Sequence, residues 1–578
     1  MINSLKLLWG FCDTRRKVHF IALIVLTLFS SLIEVFTIAS IMPFIAIVSD
    51  PNNIMKYDFV VFLTSKIGIT DASQLIFPSA IIFIIFAGLG ASFRILVLLF
   101  NTNFSVSFGV FLSQEAYRNT LYRPYIEHTQ INSSFIISAI VEKVNGVIFH
   151  IINGALSMIS SAILLIFILT GLMIIDLKIA LFSGVLILSL YGVVSYFVYK
   201  KVEASSRIVA YQQTNLITLL KESLGSIRDI ILSSLQESFV KNFYKQNFKL
   251  RHTLGMQGII GSLPRYFIEA LILILIVGFI AIIFTKYQIN FTMYLPIIGA
   301  MALGAQKLIP SAQMIYQCWI RISSNKDAFT EVLSILTKST ENNVMKNIST
   351  DDKLEFNKLV SFHGVSFKYF KDSPLILNNI NLSLMRGDKI GIVGLTGSGK
   401  STFLDLLLGL LTPSEGKIFI DNQKLGLSNM NRWQKMISHV PQHIFLNDIS
   451  ICENIAFGID KADINFEKIK NILKIVRADK FVNNLKDGLY TMVGEEGIQL
   501  SGGQRQRIGI ARALYSSFDL LVLDEATNAL DSETEKLILE EIYDKYNNKT
   551  IIILTHRDSS LEKCDIVYNV KDGRVISI

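Results

Sequence analysis

Six runs of predominantly apolar residues, at about 19–48, 76–101, 148–173, 177–199, 259–285 and 291–318, crowd into the first 320 or so residues of this chain. A helix needs roughly 20 such residues to cross about 30 Å of hydrocarbon, so the runs predict six membrane-spanning helices. With 51% hydrophobic and only 18% charged residues, the chain is too apolar for a cytosolic enzyme. The excess is uneven. The last 240 or so residues read as ordinary mixed α/β sequence, so a membrane half precedes a soluble half.

Lys and Arg gather in the N-terminal tail (Lys6, Arg15, Arg16, Lys17) and between the fourth and fifth runs (Lys200, Lys201, Arg207, Lys221, Arg228, Lys241, Lys245, Lys249, Arg251). Those segments are expected on the cytoplasmic side, with both termini inside. The opposite loops are short or nearly cation-free, with Lys56 and Lys66 in the first, Lys178 in the second and Lys286 in the third. The first run is longer than a signal-peptide core and lacks a small-x-small cleavage pattern, so it is expected to stay in the membrane. Residues 102–147 and 200–258 are long, polar and helical in pattern, and should run on past the bilayer. Cys12, Cys318, Cys452 and Cys564 fall on or near the reducing side, so no disulfide is expected.

After the polar stretch TKSTENNVMKNISTDDK the text changes to strands and turns, and KIGIVG enters GLTGSGKST in a strand, glycine loop, helix context. In such a loop Gly394, Gly397 and Gly399 let backbone N–H groups close around phosphates, and the following helix turns its positive end toward them. Lys400 is expected to reach the β- and γ-phosphates and Ser401 to ligate Mg²⁺, which implies a nucleoside triphosphate. Downstream, the apolar strand of DLLVLDE ends in two carboxylates, Asp524 for the magnesium shell and Glu525 as general base toward the attacking water. A further apolar strand, TIIILTH, ends in His556, placed to reach the γ-phosphate from the other side.

GLTGSGKST, the glutamine of HVPQHIFL, LSGGQ, LVLDEA, NALD and LTH occur in the order of an ATP-binding cassette domain. Six spans with long polar extensions followed by one cassette resemble an exporter-type ABC half-transporter. The implied fold is an all-α six-helix transmembrane domain (1–336), a linker (337–355) and an α/β P-loop nucleotide-binding domain (356–578). The resemblance implies that Tyr369 stacks on adenine, that the loop from Gly394 through Thr396, Gly397, Ser398, Gly399 and Lys400 to Ser401 and Thr402 holds the phosphates, and that Gln442 senses Mg²⁺ beside Asp524. It also implies that Asp531 communicates between sites and that Glu495 in VGEEG touches the intracellular helices. Leu500, Ser501, Gly502, Gly503 and Gln504 then bind the ATP held by a second cassette. With one cassette per chain this requires a homodimer. Asn528 stands where many members have serine, and Thr396 lies in the variable part of the loop.

ATP binding would favour the closed cassette pair, pull the helix ends together and turn the spans outward, with hydrolysis through Glu525 releasing that preference. The loops at Tyr122 to His128 (YRPYIEH) and Ser223 to Ile231 (SLGSIRDII) are the expected contacts with the cassettes. For the cargo, the clues are ionisable residues placed in hydrocarbon, each costing roughly 2.5–3.5 kcal/mol on insertion scales. Arg94, Arg265 and Lys307, with Glu34, are expected to ring the inner side of a cavity and take an anionic headgroup. SLIEVFTIASIMPFIAIVSD, YDFVVFLTSKIG, LPRYFIEA and KLIPSAQMIY resemble the bacterial flippase of lipid-linked oligosaccharides used in protein glycosylation. That resemblance implies flipping of a polyprenyl-pyrophosphate-linked glycan across the inner membrane. Alternatives are an ABC exporter of peptides, toxins or drugs, sharing every cassette motif, and a non-transport cassette ATPase, against which the six spans argue. No nucleic-acid partner is expected.

Overall fold

The computed structural model describes residues 6–7, 9–49, 72–175, 177–287, 291–337 and 354–578. The linker residues 338–353 and the stretch YDFVVFLTSKIG lie outside them. Contacts divide the chain into one unit of Met1–Tyr122 with Ile131–Thr340 and a second of Arg123–Gln130 with Glu341–Ile578.

In the first unit the apolar runs become long helices: α1 (Thr14–Ser49) and α2 (Ile76–Leu121). The chain then leaves for the short helix α3 (Tyr125–Gln130), which belongs to the second unit. It returns through α4 (Ser133–Ser138) and a run of π-helical turns at Ala139–Lys143 and Val147–Ile152 into α5 (Asn153–Ile175). Next come α6 (Leu177–Gly225), the short α7 (Ile227–Leu232), α8 (Gln236–Tyr287), α9 (Phe291–Ser324) and α10 (Lys326–Thr337). At about 1.5 Å per residue the 49 residues of α6 exceed any bilayer, so its second half continues as a polar extension. Four helices pass a length-and-apolarity test for crossing a membrane, among the described residues. The fifth and sixth apolar runs lie on α8 and α9, and part of each falls outside the described side chains.

Helix α1 packs on α2, α5 and α9, and α6 packs on α8 and α9. Gly109 explains one close approach: a Cβ there would stand 2.2 Å from Ile148 Cδ1, so α2 meets the π-helical run only because residue 109 has no side chain. Within the apolar part, the buried Glu34 carboxylate of α1 is paired with Lys307 of α9 and, at 3.5 Å, with Arg94 Nε of α2. Arg265 donates from Nε to Glu269 Oε1 one turn on, at 2.7 Å.

The second unit is built on two sheets. Strands β1 (Leu359–Phe367), β2 (Leu377–Met385), β4 (Glu415–Ile420) and β5 (Gln423–Lys424) form an antiparallel sheet in the order β2-β1-β4-β5. The larger sheet contains β3 (Lys389–Val393), β6 (Ile437–Val440), β7 (Leu520–Asp524), β8 (Thr550–Leu554), β9 (Ile566–Lys571) and β10 (Arg574–Ser577), in the order β10-β9-β3-β8-β7-β6. All its pairings are parallel except β9 with β10. A parallel sheet is covered on both faces, which is why KIGIV, LLVLD and TIIIL are almost continuously apolar. The covering helices include α11 (Lys400–Leu407), α12 (Phe466–Ile475), α13 (Gly502–Tyr515) and α14 (Ser532–Lys545). Buried side chains form one cluster around Phe403, Leu404, Ile390 and Trp433, and another around Ile508, Ile510, Leu521 and Ile551.

Candidate functional site

In an open parallel sheet, ligands bind beyond the carboxyl ends of the strands. The register makes that rule specific here. Leu523 pairs with Val440 on one side and Ile553 on the other, and Asp524 pairs with Leu554. Residues just past these ends, Gln442, Glu525 and His556, are therefore brought together although they are far apart in sequence. Gln442 Nε2 donates to Glu525 Oε2 at 2.8 Å, and His556 Nε2 lies 3.1 Å from Glu525 Oε1. Asn528 Nδ2 also donates to Oε2, at 2.8 Å.

The phosphate-type loop follows β3, beside β8. Gly394, Gly397 and Gly399 have φ of 147°, 82° and 104°, a backbone that side chains rarely adopt. A Cβ at Gly394 would stand 2.3 Å from the Val570 carbonyl oxygen. Lys400 is buried and donates to the carbonyls of Gly394 (2.7 Å) and Leu395 (3.0 Å), so its ammonium lies within the loop. The Ser398 hydroxyl is buried with no hydrogen-bond partner among the described residues. A glycine cradle, an enclosed cation and an orphaned hydroxyl fit a bound polyphosphate. Burial pushes the Asp524 carboxyl up, with Glu525 adding to the effect and Lys400 opposing it.

No group of three or more His, Cys, Asp or Glu forms a metal site among the described residues. The expected set Ser401, Gln442 and Asp524 is one carboxylate with two neutral oxygens, which suits Mg²⁺ brought in by phosphate rather than an all-protein cage. Tyr369 bonds through its hydroxyl to Thr402 Oγ1 at 3.2 Å and sets its ring edge-on to Phe367. Thr396 is exposed in the loop.

Among the described residues, LSGGQ has no hydrogen bond to Gln442, Glu525, His556 or the glycine loop. Ser501 caps α13: Gln504 N–H donates to Ser501 Oγ at 3.3 Å, and Ser501 N–H to Gln504 Oε1 at 2.9 Å. Gly502 and Gly503 lie against Ala529 in the turn after the carboxylates, and Leu500 is buried. Asp531 caps α14 by accepting from Thr534 N–H at 2.8 Å, and that bond holds its carboxyl below the usual range. Glu495 opens a single 3₁₀ turn ending at Gly497.

Sequence reasoning missed the network that braces this site. Glu535 of α14 is buried and accepts from Thr527 Oγ1 (2.7 Å) and Ser560 Oγ (2.6 Å) while pairing with Arg557. Arg557 also donates to the carbonyls of Asn528 and Leu530, each at 3.2 Å. The one available signal was position: Arg557 directly follows His556, and Glu535 follows NALD by four residues. From the other half of the sequence, Ile126 of α3 packs on the core cluster containing Tyr369's neighbours. Burial, with Asp405 and Tyr369 nearby, pushes the Tyr125 hydroxyl up. Of YRPYIEH, residues 123–128 thus belong to the second unit and Tyr122 to the first. SLGSIRDII belongs to the first unit.

Residues 377–528 match the ABC transporter family. The chain is 37% identical over 272 residues to the leukotoxin export ATP-binding protein of Aggregatibacter actinomycetemcomitans, a match covering 47% of this chain and 38% of that protein. It is 40% identical over 222 residues to the alpha-hemolysin translocation ATP-binding protein of Proteus vulgaris, covering 38% of this chain and 31% of that one. The match thus spans only about a third of the length of these curated relatives. In solved structures, a bacterial Atm1-family ABC exporter with ATP bound superposes with a TM-score of 0.76 at 20% identity, over 97% of this chain and 95% of that one. Residues 377–528, which carry this match to the ABC transporter family, lie within the second unit. The chain as a whole has the fold of an exporter-type ABC half-transporter: a helical transmembrane region followed by an α/β nucleotide-binding domain.

Proposed function

We propose that this chain is one half of a homodimeric, ATP-driven exporter in a bacterial inner membrane, with its termini and cassette on the cytoplasmic side. The observation that carries the reading is the convergence of Gln442, His556 and Glu525 beyond adjacent strand ends, beside a glycine loop shaped for phosphates. Water attacks the γ-phosphorus, Glu525 accepts its proton, the bond to the bridging oxygen breaks and ADP leaves. Ser401, Gln442 and Asp524 would hold Mg²⁺, which neutralises charge on the phosphate oxygens when bound. His556 and Lys400 would reach the γ-phosphate.

A second copy is supported by what one chain leaves uncovered. LSGGQ has no nucleotide of its own to close on, and the SLGSIRDII region exposes Leu224 (67%) and Leu232 (74%), along with Ile227 and Ile231. Tyr369 would stack on adenine, Asp531 would carry signals between the two sites, and Glu495 would meet the intracellular helices.

The names of the curated relatives favour export of a peptide or protein toxin over flipping of a polyprenyl-linked glycan. The charge pattern also weakens the headgroup reading. Arg94 and Lys307 share the Glu34 carboxylate and Arg265 pairs with Glu269, so the three cations do not form a free anion-binding ring. Arg94, with its side chain 49% exposed, is the member best placed to meet an anionic cargo. The test is reconstitution in liposomes with ATP, offering a peptide, a pyrophosphate-linked glycolipid and a dye in parallel. ATP-dependent movement of the peptide supports the toxin-export reading and movement of the glycolipid the flippase reading. Full ATP turnover by Glu525→Gln would sink the hydrolysis scheme.

A further inference from the structure

Three side-chain nitrogens converge on the one carboxylate of Glu525, and they are not equivalent. Gln442 and His556 each have a second task in the proposed reaction, toward Mg²⁺ and toward the γ-phosphate. Asn528 has none. Its backbone is pinned on both sides: its N–H donates to the Glu525 carbonyl at 3.3 Å, and its own carbonyl accepts from Arg557 at 3.2 Å. Arg557 is anchored in turn on buried Glu535, which also accepts from Thr527 and Ser560. This leaves the Asn528 side-chain amide fixed in place, 2.8 Å from Glu525 Oε2.

Glu525 needs such a support. Its φ of 48° is in the left-handed region that non-glycine residues seldom adopt, so the backbone at the end of β7 is strained where the carboxylate must be aimed. We infer that Asn528 is the positioning residue that keeps the Glu525 carboxylate aimed at the attacking water once Gln442 and His556 turn to the nucleotide. This rests on the hydrolytic reading proposed above. A hydroxyl at position 528 has one bond less of reach, so serine there cannot make the same contact without movement of the turn.

The test uses the full-length dimer in lipid. A hydrogen bond to a charged acceptor has a worth that corresponds to roughly a 10- to 100-fold change in rate. Asn528→Ala is expected to lower kcat for ATP by that factor with KM for ATP unchanged. Asn528→Asp keeps the shape and loses the donor, so it should fall at least as far. A residue that merely filled space would leave the aspartate variant active. In single-turnover assays, adding Asn528→Ala to Glu525→Gln should cost nothing further, because the carboxylate being aimed is already gone. The ATP-bound dimer trapped by Glu525→Gln should form at the same ATP concentration with and without Asn528→Ala. Unchanged kcat in Asn528→Ala, a further loss on the Glu525→Gln background, or loss of the trapped dimer would each overturn the assignment. If Glu525→Gln itself turned over normally, the hydrolytic reading would fail instead.

Discussion

Lys143 is the residue whose replacement tests the packing of the first unit most sharply. It closes the first π-helical turn, its side chain is 0% exposed, and its ammonium donates to Thr214 Oγ1 of α6 at 2.7 Å and pairs with Glu331 of α10. The Phe135 ring lies 5.1 Å from the ammonium. Three segments distant in sequence are thus joined at one cation. Glu331, however, is 32% exposed. The two partners should therefore behave differently when separated. Glu331→Leu strands a fully buried ammonium, and losing one partner of a buried pair costs about 3–5 kcal/mol. Thr214 and the aromatic face recover part of that, the ring contact being worth about 0.5–2 kcal/mol, so a net loss of about 3 kcal/mol is expected. Lys143→Met removes the buried charge together with its desolvation cost and leaves Glu331 in reach of water, so the loss should stay within about 1 kcal/mol. The double variant Lys143→Met/Glu331→Leu should resemble Lys143→Met alone. Thermal unfolding of the purified protein in detergent, followed by tryptophan fluorescence, reads this order directly. A Lys143→Met midpoint as low as that of Glu331→Leu, or strict additivity in the double variant, would refute the reasoning.

Two further outcomes follow from the same structure. Glu34 is 2% exposed between Lys307 and Arg94, so Glu34→Gln leaves two cations without a counter-charge and should destabilise the first unit by about 3 kcal/mol or more, whereas Arg94→Ala should cost less because Lys307 remains paired; equal thermal midpoints for the two variants would count against this. Burial pushes His439 of β6 down to about 4 from its ordinary 6.5, so it favours the neutral ring in the folded state. Its contribution is fully present above about pH 6.5 and is lost as pH falls toward about 4, by up to about 3 kcal/mol. His439→Gln should flatten the denaturant midpoint against pH across that window, and an unchanged slope would exclude the histidine as its source.

What the sequence discloses follows from how local each signal is. The apolar runs and the order GLTGSGKST, LSGGQ, LVLDEA, NALD need only neighbouring residues to be read, and the helices and loop conformations answer to them: α1, α2, α5 with the π-helical turn before it, and α6 cover the first four runs, and the three loop glycines take positive φ. The bracing of Glu525 is of another kind. Asn528 reads as a mild departure in NALD because its value depends on where Glu525 points, and that depends on a left-handed residue at the end of β7. Glu535 and Arg557 are separated by 22 residues, and only the parallel pairing of β7 with β8 makes them neighbours. The cations in the spans illustrate the converse. Read singly, Arg94, Arg265 and Lys307 suggest an anion site, since a charge in hydrocarbon demands a partner. The chain itself supplies that partner: helix packing brings Glu34 to two of them, and Glu269 stands one turn along the same helix from the third. A charge in an apolar run announces from sequence that it has a partner, and only the fold says whether that partner is a cargo or another residue of the chain.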